Sequence, residues 1–228
     1  MPVTYVGASS QRSNGSNSSV PVTAHGSEQP GDVAIQAWFL PAAASPLTPD
    51  TPGWVPVLEA DTSVGPFALW LYWQVSTAQD TEWSWDGSTS LFGGLKLIVR
   101  GADTNDPLQV GPLLSGADSG QTLSLPSMTP LEAGGMAAHF LTARYSTGAS
   151  TKSIGAISGY TMTTAQTSTQ SSGHAIRLGR RDNVPANTAT GNVSATATAT
   201  TTGWRALSVV VREPRPWAPQ NKQFHTHA

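Results

Sequence analysis

Hydrophobic positions along this chain recur with a period of two, in short runs broken by glycine and proline. That period sends successive side chains to opposite faces of an extended strand. It predicts strands at "VTYVG" (3–7), "VPV" (20–22), "DVAIQAWFL" (32–40), "WVPVLEA" (54–60), "PFALWLYWQV" (66–75), a short "EWSW" (82–85) and "LFGGLKLIVRG" (91–101). "QTLSLPSM", "GMAAHFLTAR", "SGYTMTTAQT" and "SSGHAIRLGR" continue the rhythm. Polar "SSQRSNGSNSS" and Pro-rich "PAAASPLTPDTPG" read as loops. Gly and Pro punctuate every segment long enough to be a helix. Many short strands at close spacing predict an all-β fold.

Two segments sharpen the expectation. In "PFALWLYWQV", Leu69, Leu71, Trp73 and Val75 share one face while Trp70 and Tyr72 share the other. A strand apolar on both faces is central in a covered sheet, or its outer face meets a partner. In "NVSATATATTTGWRALSVVVREP", Val193, Ala195, Ala197 and Ala199 alternate with Ser and Thr, which predicts a strand with a small apolar face rather than filler. The following "TTG" reads as a turn into "WRALSVVVRE", so the pair is expected to form a closing hairpin, and the alanine face implies either a close sheet-to-sheet approach or a large neighbour such as Trp opposite. Gly93 and Gly94 inside a strand pattern predict a bulge or a close backbone approach.

The chain is thus expected to be a single antiparallel β-sandwich, jelly-roll-like, over residues 1–212. An extended arm follows over 213–228, where prolines at 214, 216 and 219 set a polyproline-like course. No internal repeat and no boundary within the body is evident. Such a segment is either a frayed tail or an arm lying on a neighbouring subunit, and in an arm Arg215, Trp217 and Phe224 are the candidate contacts.

Composition narrows the function. Charged residues are 11% of the 228, against about 25% in typical globular proteins. With 38% hydrophobic residues and eight Trp the chain has the material for a core. A net charge of −2 and no basic run argue against a nucleic-acid partner. The absence of cysteine removes disulfides, thiolate metal sites and thiol nucleophiles. The N-terminal residues lack the charged and apolar regions of a secretory signal, and no apolar run approaches the ~20 residues of a membrane span, so a soluble chain without membrane insertion is expected.

Catalytic motifs are scarce. "GADSG" and "GAISG" carry serine one place late for a nucleophile elbow, and no P-loop, dinucleotide fingerprint or zincin motif occurs. His225 and His227 form an H-x-H pair without a nearby third ligand, and His139 and His174 sit within strands, where structural roles predominate. Asp103 and Asp106 in "RGADTNDP" read as turn formers rather than a calcium loop. No catalytic residue, metal or cofactor is expected. Trp83 and Trp85, on one side of a short strand, are the candidate sugar-stacking platform, weighed against a place in the core.

The order of features, from "QPGDVAIQAWF" and "PGWVPV" through "LWLYWQV" and "LIVRGADTNDPL" to "TGWRALSVVV", resembles β-sandwich minor tail proteins of tailed bacteriophages of actinobacteria. Gly31 and Asp32, and the segment from Arg100 to Asp103, match that group's pattern. "TPGW" lacks its spacer before Gly53, and Val99 stands where an aromatic is common. The resemblance implies a structural virion protein, a minor tail component or a head decoration, assembled in the host cytoplasm. Its partners would be other virion proteins and further copies of itself, with contact to host surface glycans as the alternative role.

Overall fold

The computed structural model describes residues 2–12, 17–41, 47–61, 67–89, 93–116, 120–145, 152–167 and 173–215. Among them there are fifteen strands and no helix. They are β1 (Thr4–Arg12), β2 (Asn17–Val22), β3 (Val33–Pro41), β4 (Leu47–Pro49), β5 (Val55–Asp61), β6 (Phe67–Val75), β7 (Thr81–Thr89) and β8 (Gly93–Arg100) in the first half. The second half holds β9 (Leu108–Gly116), β10 (Thr122–Leu125), β11 (Gly135–Tyr145), β12 (Thr161–Thr167), β13 (His174–Val184), β14 (Val193–Thr196) and β15 (Thr201–Val211). All strand pairs are antiparallel.

Four sheets form. β1-β8-β3-β6-β5 and β12-β13-β11-β15-β9 are the large ones, and β2-β7-β4 and β10-β14 are the small ones. The two large sheets face each other across a core that includes Ile35, Phe39, Leu71, Leu97, Phe140, Leu178 and Val209. The outer face of the first large sheet packs on β2-β7-β4 around Trp38, Trp70, Tyr72, Trp83 and Trp85. The outer face of the second packs on β10, β14 and the segment holding Ile154, Ile157 and Tyr160. The result is an antiparallel sandwich with a further layer on each side. The two-faced strand β6 is therefore covered by its own chain: Leu69 and Leu71 look into the central core, Trp70 and Tyr72 into the outer one.

The halves share one topology. Mapping β1, β8, β3, β6 and β5 onto β9, β15, β11, β13 and β12 reproduces the sheet order, and β2-β7 maps onto β10-β14. The place of β4 is taken by Ile154, bridged to Ala197 just after β14. Each half resembles a small jelly roll, its strands alternating between two sheets except at β5 and β6, and at β12 and β13, which are neighbours in one sheet. Registers agree: Val33 pairs with Val99 as Met136 does with Val211. Gly31 and Gly134, both at positive φ, donate their N–H groups to Ser76 and Val184, at the ends of equivalent strands. The trace left in sequence is Leu95-x-Leu97-x-Val99-Arg100 against Leu207-x-Val209-x-Val211-Arg212. β1 lies against β12 and β8 against β13, and Asp103 N–H bonds the Arg212 carbonyl. Equivalent strands thus run in the same sense with their order reversed across the core, as a two-fold axis along the strands requires.

Several expectations change. The alternating Val193–Thr196 segment is a strand with Ala195 buried, but it pairs with β10, not β15. The hairpin fails because β14 belongs to an outer sheet and β15 to a central one, so the chain between them changes layer. Trp204 does share a cluster with Ala195 and Ala197, with its ring against Gly116 of β9. β9, "LQVGPLLSG", was not anticipated, its pattern being broken by Gly111 and Pro112. β4 lies within the Pro-rich segment read as loop. Gly93 and Gly94 mark close approach, since β8 keeps its register with β3 without a bulge there. A Cβ on Gly94 would sit 2.4 Å from the Trp38 ring, and one on Gly93 would sit 2.7 Å from Ile176 across the central core.

Candidate functional site

The chemistry-bearing side chains that the fold gathers are mostly buried. At one end of the first roll, Lys96 Nζ lies 2.9 Å from Glu28 Oε2, both side chains almost fully buried. Glu28 also accepts from the Ser76 hydroxyl (2.5 Å) and the His25 N–H (2.9 Å). A buried carboxylate persists as a charge only with such partners. Beside it, Arg100 clasps Asp32 through Nε and Nη2 at 2.7 and 2.9 Å, while Asp32 accepts from the Gln29 N–H. The "PGD" turn and the "RGAD" segment, distant in sequence, meet here and tie the start of β3 to the end of β8. Asp103 accepts from the N–H groups of Asn105 and Asp106, the turn-forming role expected of it. Among the described residues no group of His, Cys, Asp and Glu is placed to hold a metal.

The second roll carries a pair that sequence reading did not single out. His139 Nδ1 lies 2.5 Å from Ser208 Oγ, on adjacent strands in direct register. Ser208 donates to the Pro126 carbonyl at 3.1 Å, so the pair closes with Nδ1 carrying the proton and donating to Oγ. The imidazole packs on Tyr160 with ring centroids 4.4 Å apart. Burial pushes His139 down to about 4, keeping it neutral, and raises the Tyr160 phenol. A serine beside a histidine is the start of a nucleophile–base pair. Here both residues are 1% exposed and the hydroxyl is committed to a carbonyl, so the pair holds the roll together. The equivalent positions in the first roll are Gln36 and Lys96, also buried and in direct register. Each roll therefore places one polar rung inside its own core.

Trp83 and Trp85 do not form a sugar platform. They are 0% and 5% exposed, and stacking on a sugar needs a free ring face. Trp83 is the hub of an aromatic cluster, with centroids 4.9 Å from Tyr72, 5.0 Å from Trp54 and 5.8 Å from Trp38. Alternation in β7 turns both indoles inward because β2-β7-β4 is a cover, a layer that sequence reading lacked. Of the candidate arm contacts, Arg215 is exposed and pairs with Glu132 at 2.8 Å; Trp217 and Phe224, with His225 and His227, lie outside the described residues. His174 is buried in β13.

What remains accessible is surface. A cavity of about 400 Å³ lies between Leu114, Pro126, Asn192 and Ser194, lined by aliphatic, amide and hydroxyl groups. Val55 on β5, Val75 at the end of β6 and Val110 on β9 are exposed. Comparison with protein-family models, with curated proteins and with solved structures finds no match in any of the three.

Proposed function

We propose that this protein is a structural component of the exterior of a tailed bacteriophage particle, a minor tail protein or a head decoration, acting through protein–protein contacts. The observation that carries the reading is the division of the molecule into committed chemistry inside and apolar side chains outside. The Glu28–Lys96 and His139–Ser208 pairs hold the rolls, while Leu131, 57% exposed, stands on the surface in addition to the edge valines. Jelly rolls are an architecture of viral capsid and lectin domains, which agrees with the context suggested by the sequence but does not by itself assign a role. A near-neutral surface built on β-sheet is suited to contact with other protein subunits and further copies of the chain.

The test is to band particles from a lysate of the phage encoding this chain, and to probe them by mass spectrometry and immunogold labelling. Peptides at stoichiometric abundance with label on the outer surface support the reading. A protein found in the infected cell but missing from banded particles overturns it.

A further inference from the structure

The doubled topology supplies an internal control for the molecule's edges. The central sandwich has two: β1 over β12 on one side, β5 and β9 on the other. The two-fold relation makes them equivalent, with β9 in the place of β1 and β5 in the place of β12. The first edge is finished for water. Arg180 lays its guanidinium over the Tyr5 ring, 4.1 Å from its centroid, bridging the two sheets, and pairs with Asp182. Thr161, which pairs with Arg180, is exposed.

At the second edge each of those positions is apolar. Trp73 stands in the place of Arg180, since Ile35 pairs with Trp73 as Ala138 does with Arg180. Val75, two residues on, stands where β13 has a bulge holding Asp182 and Asn183, and Val55, paired with Trp73, stands for Thr161. On the facing strand Val110 pairs with Val209 as Ala8 does with Leu97. Val55, Val75 and Val110 are 42%, 39% and 38% exposed and all face the space between the sheets. Half-buried Val57, Trp73 and Leu113 lie behind them against the central core. Arg180, Asp182 and Thr161 at the covered edge thus give way to Trp73, Val75 and Val55 at the open one, while Val110 replaces the smaller Ala8. Apolar side chains gathered at one edge in this way mark a contact surface. Pro56 and Pro112 on the two edge strands weaken strand addition, so the edge is suited to receiving side chains between the sheets.

We infer that the occupant of this edge is the chain's own C-terminal segment, residues 216–228. The polypeptide leaves the fold at the same end: Arg212 N–H bonds the Pro107 carbonyl beside the start of β9, and Arg215 is pinned by Glu132. The thirteen residues beyond Arg215 (228 − 215) span up to roughly 40 Å when extended, against about 30 Å for a nine-residue strand such as β9. They carry two large apolar side chains, Trp217 and Phe224, within reach of this edge. The inference is independent of where the protein resides.

The chain has no cysteine, so a pair can be introduced into the full-length protein without interference. Val55→Cys with Ala218→Cys is compared with Thr161→Cys with Ala218→Cys, both body positions being exposed, under the same mild oxidant. Docking predicts disulfide formation at Val55 faster by about tenfold or more, from the raised effective concentration of a bound segment. Adding Trp217→Ser and Phe224→Ser should erase that excess. Equal rates at the two edges would overturn the inference, and so would an excess that survives loss of both aromatics.

Discussion

Replacing His139 with Gln, the residue that the other roll has at the same place, should flatten the acid limb of the stability curve. The imidazole is buried against Tyr160, held by Ser208, and pushed down to about 4 by burial. In the unfolded chain it titrates near 6.5. The native state therefore binds fewer protons between those values, and stability falls as pH drops from about 6.5 to about 4, then levels off. The gap of about 2.5 pH units, at 1.36 kcal/mol each, sets the loss between pH 7 and pH 4 at about 3 kcal/mol. Gln at this site contributes no such slope, while the carboxylates titrate alike in both proteins and cancel in the difference. Urea unfolding followed by tryptophan fluorescence, run at pH 7 and pH 4 on both proteins, gives the comparison. The wild type should lose about 3 kcal/mol more than the variant. An equal loss in the two would refute the assignment of His139 as a residue buried in its neutral form.

Three further outcomes follow from the packing. Gly94→Ala should cost about 1–3 kcal/mol, because its Cβ meets the Trp38 ring at 2.4 Å; an unchanged melting temperature would mean that the ring is not seated on β8. Lys96→Met should cost about 3–5 kcal/mol, leaving the Glu28 carboxylate buried with only a hydroxyl and one N–H; denaturant titration at neutral pH measures it, and a loss below 1 kcal/mol would contradict the pairing. Trp83→Ala should destabilise by about 3–5 kcal/mol, since it empties the centre of the aromatic cluster; a variant of native stability that has lost glycan binding would restore the platform reading in place of the core one.

Sequence made the individual strands legible where one face is uniformly apolar. β3, β6, β8, β11 and β15 announce themselves through alternation, and the double face of β6 required either a cover or a partner, of which the chain itself supplies the cover. The cover itself was hidden, because β2 and β4 are short, polar on one side and interrupted by Pro21 and Pro49. The repeat was hidden for a different reason: backbone register is kept while side-chain volume is redistributed. Trp83 and Trp85 occupy the inward places that Ala195 and Ala197 hold in the second roll, where Trp204, Tyr145 and Tyr160 share their cluster. The polar rung is Gln36 with Lys96 in one roll and His139 with Ser208 in the other. Glu28 and Asp32 looked like ordinary turn residues, since nothing local signals that partners 68 residues away will arrive beside them. The buried pairs needed the sheet order before they could be seen.

The joining of two like rolls in one polypeptide has a consequence for what each can become. Two separate copies meeting through the same faces would be bound by symmetry, so any substitution at one margin would appear at the other. A single chain lifts that restriction. One margin can be sealed by Tyr5 and Arg180 while its counterpart stays greasy, and the molecule acquires a direction that a pair of identical subunits lacks.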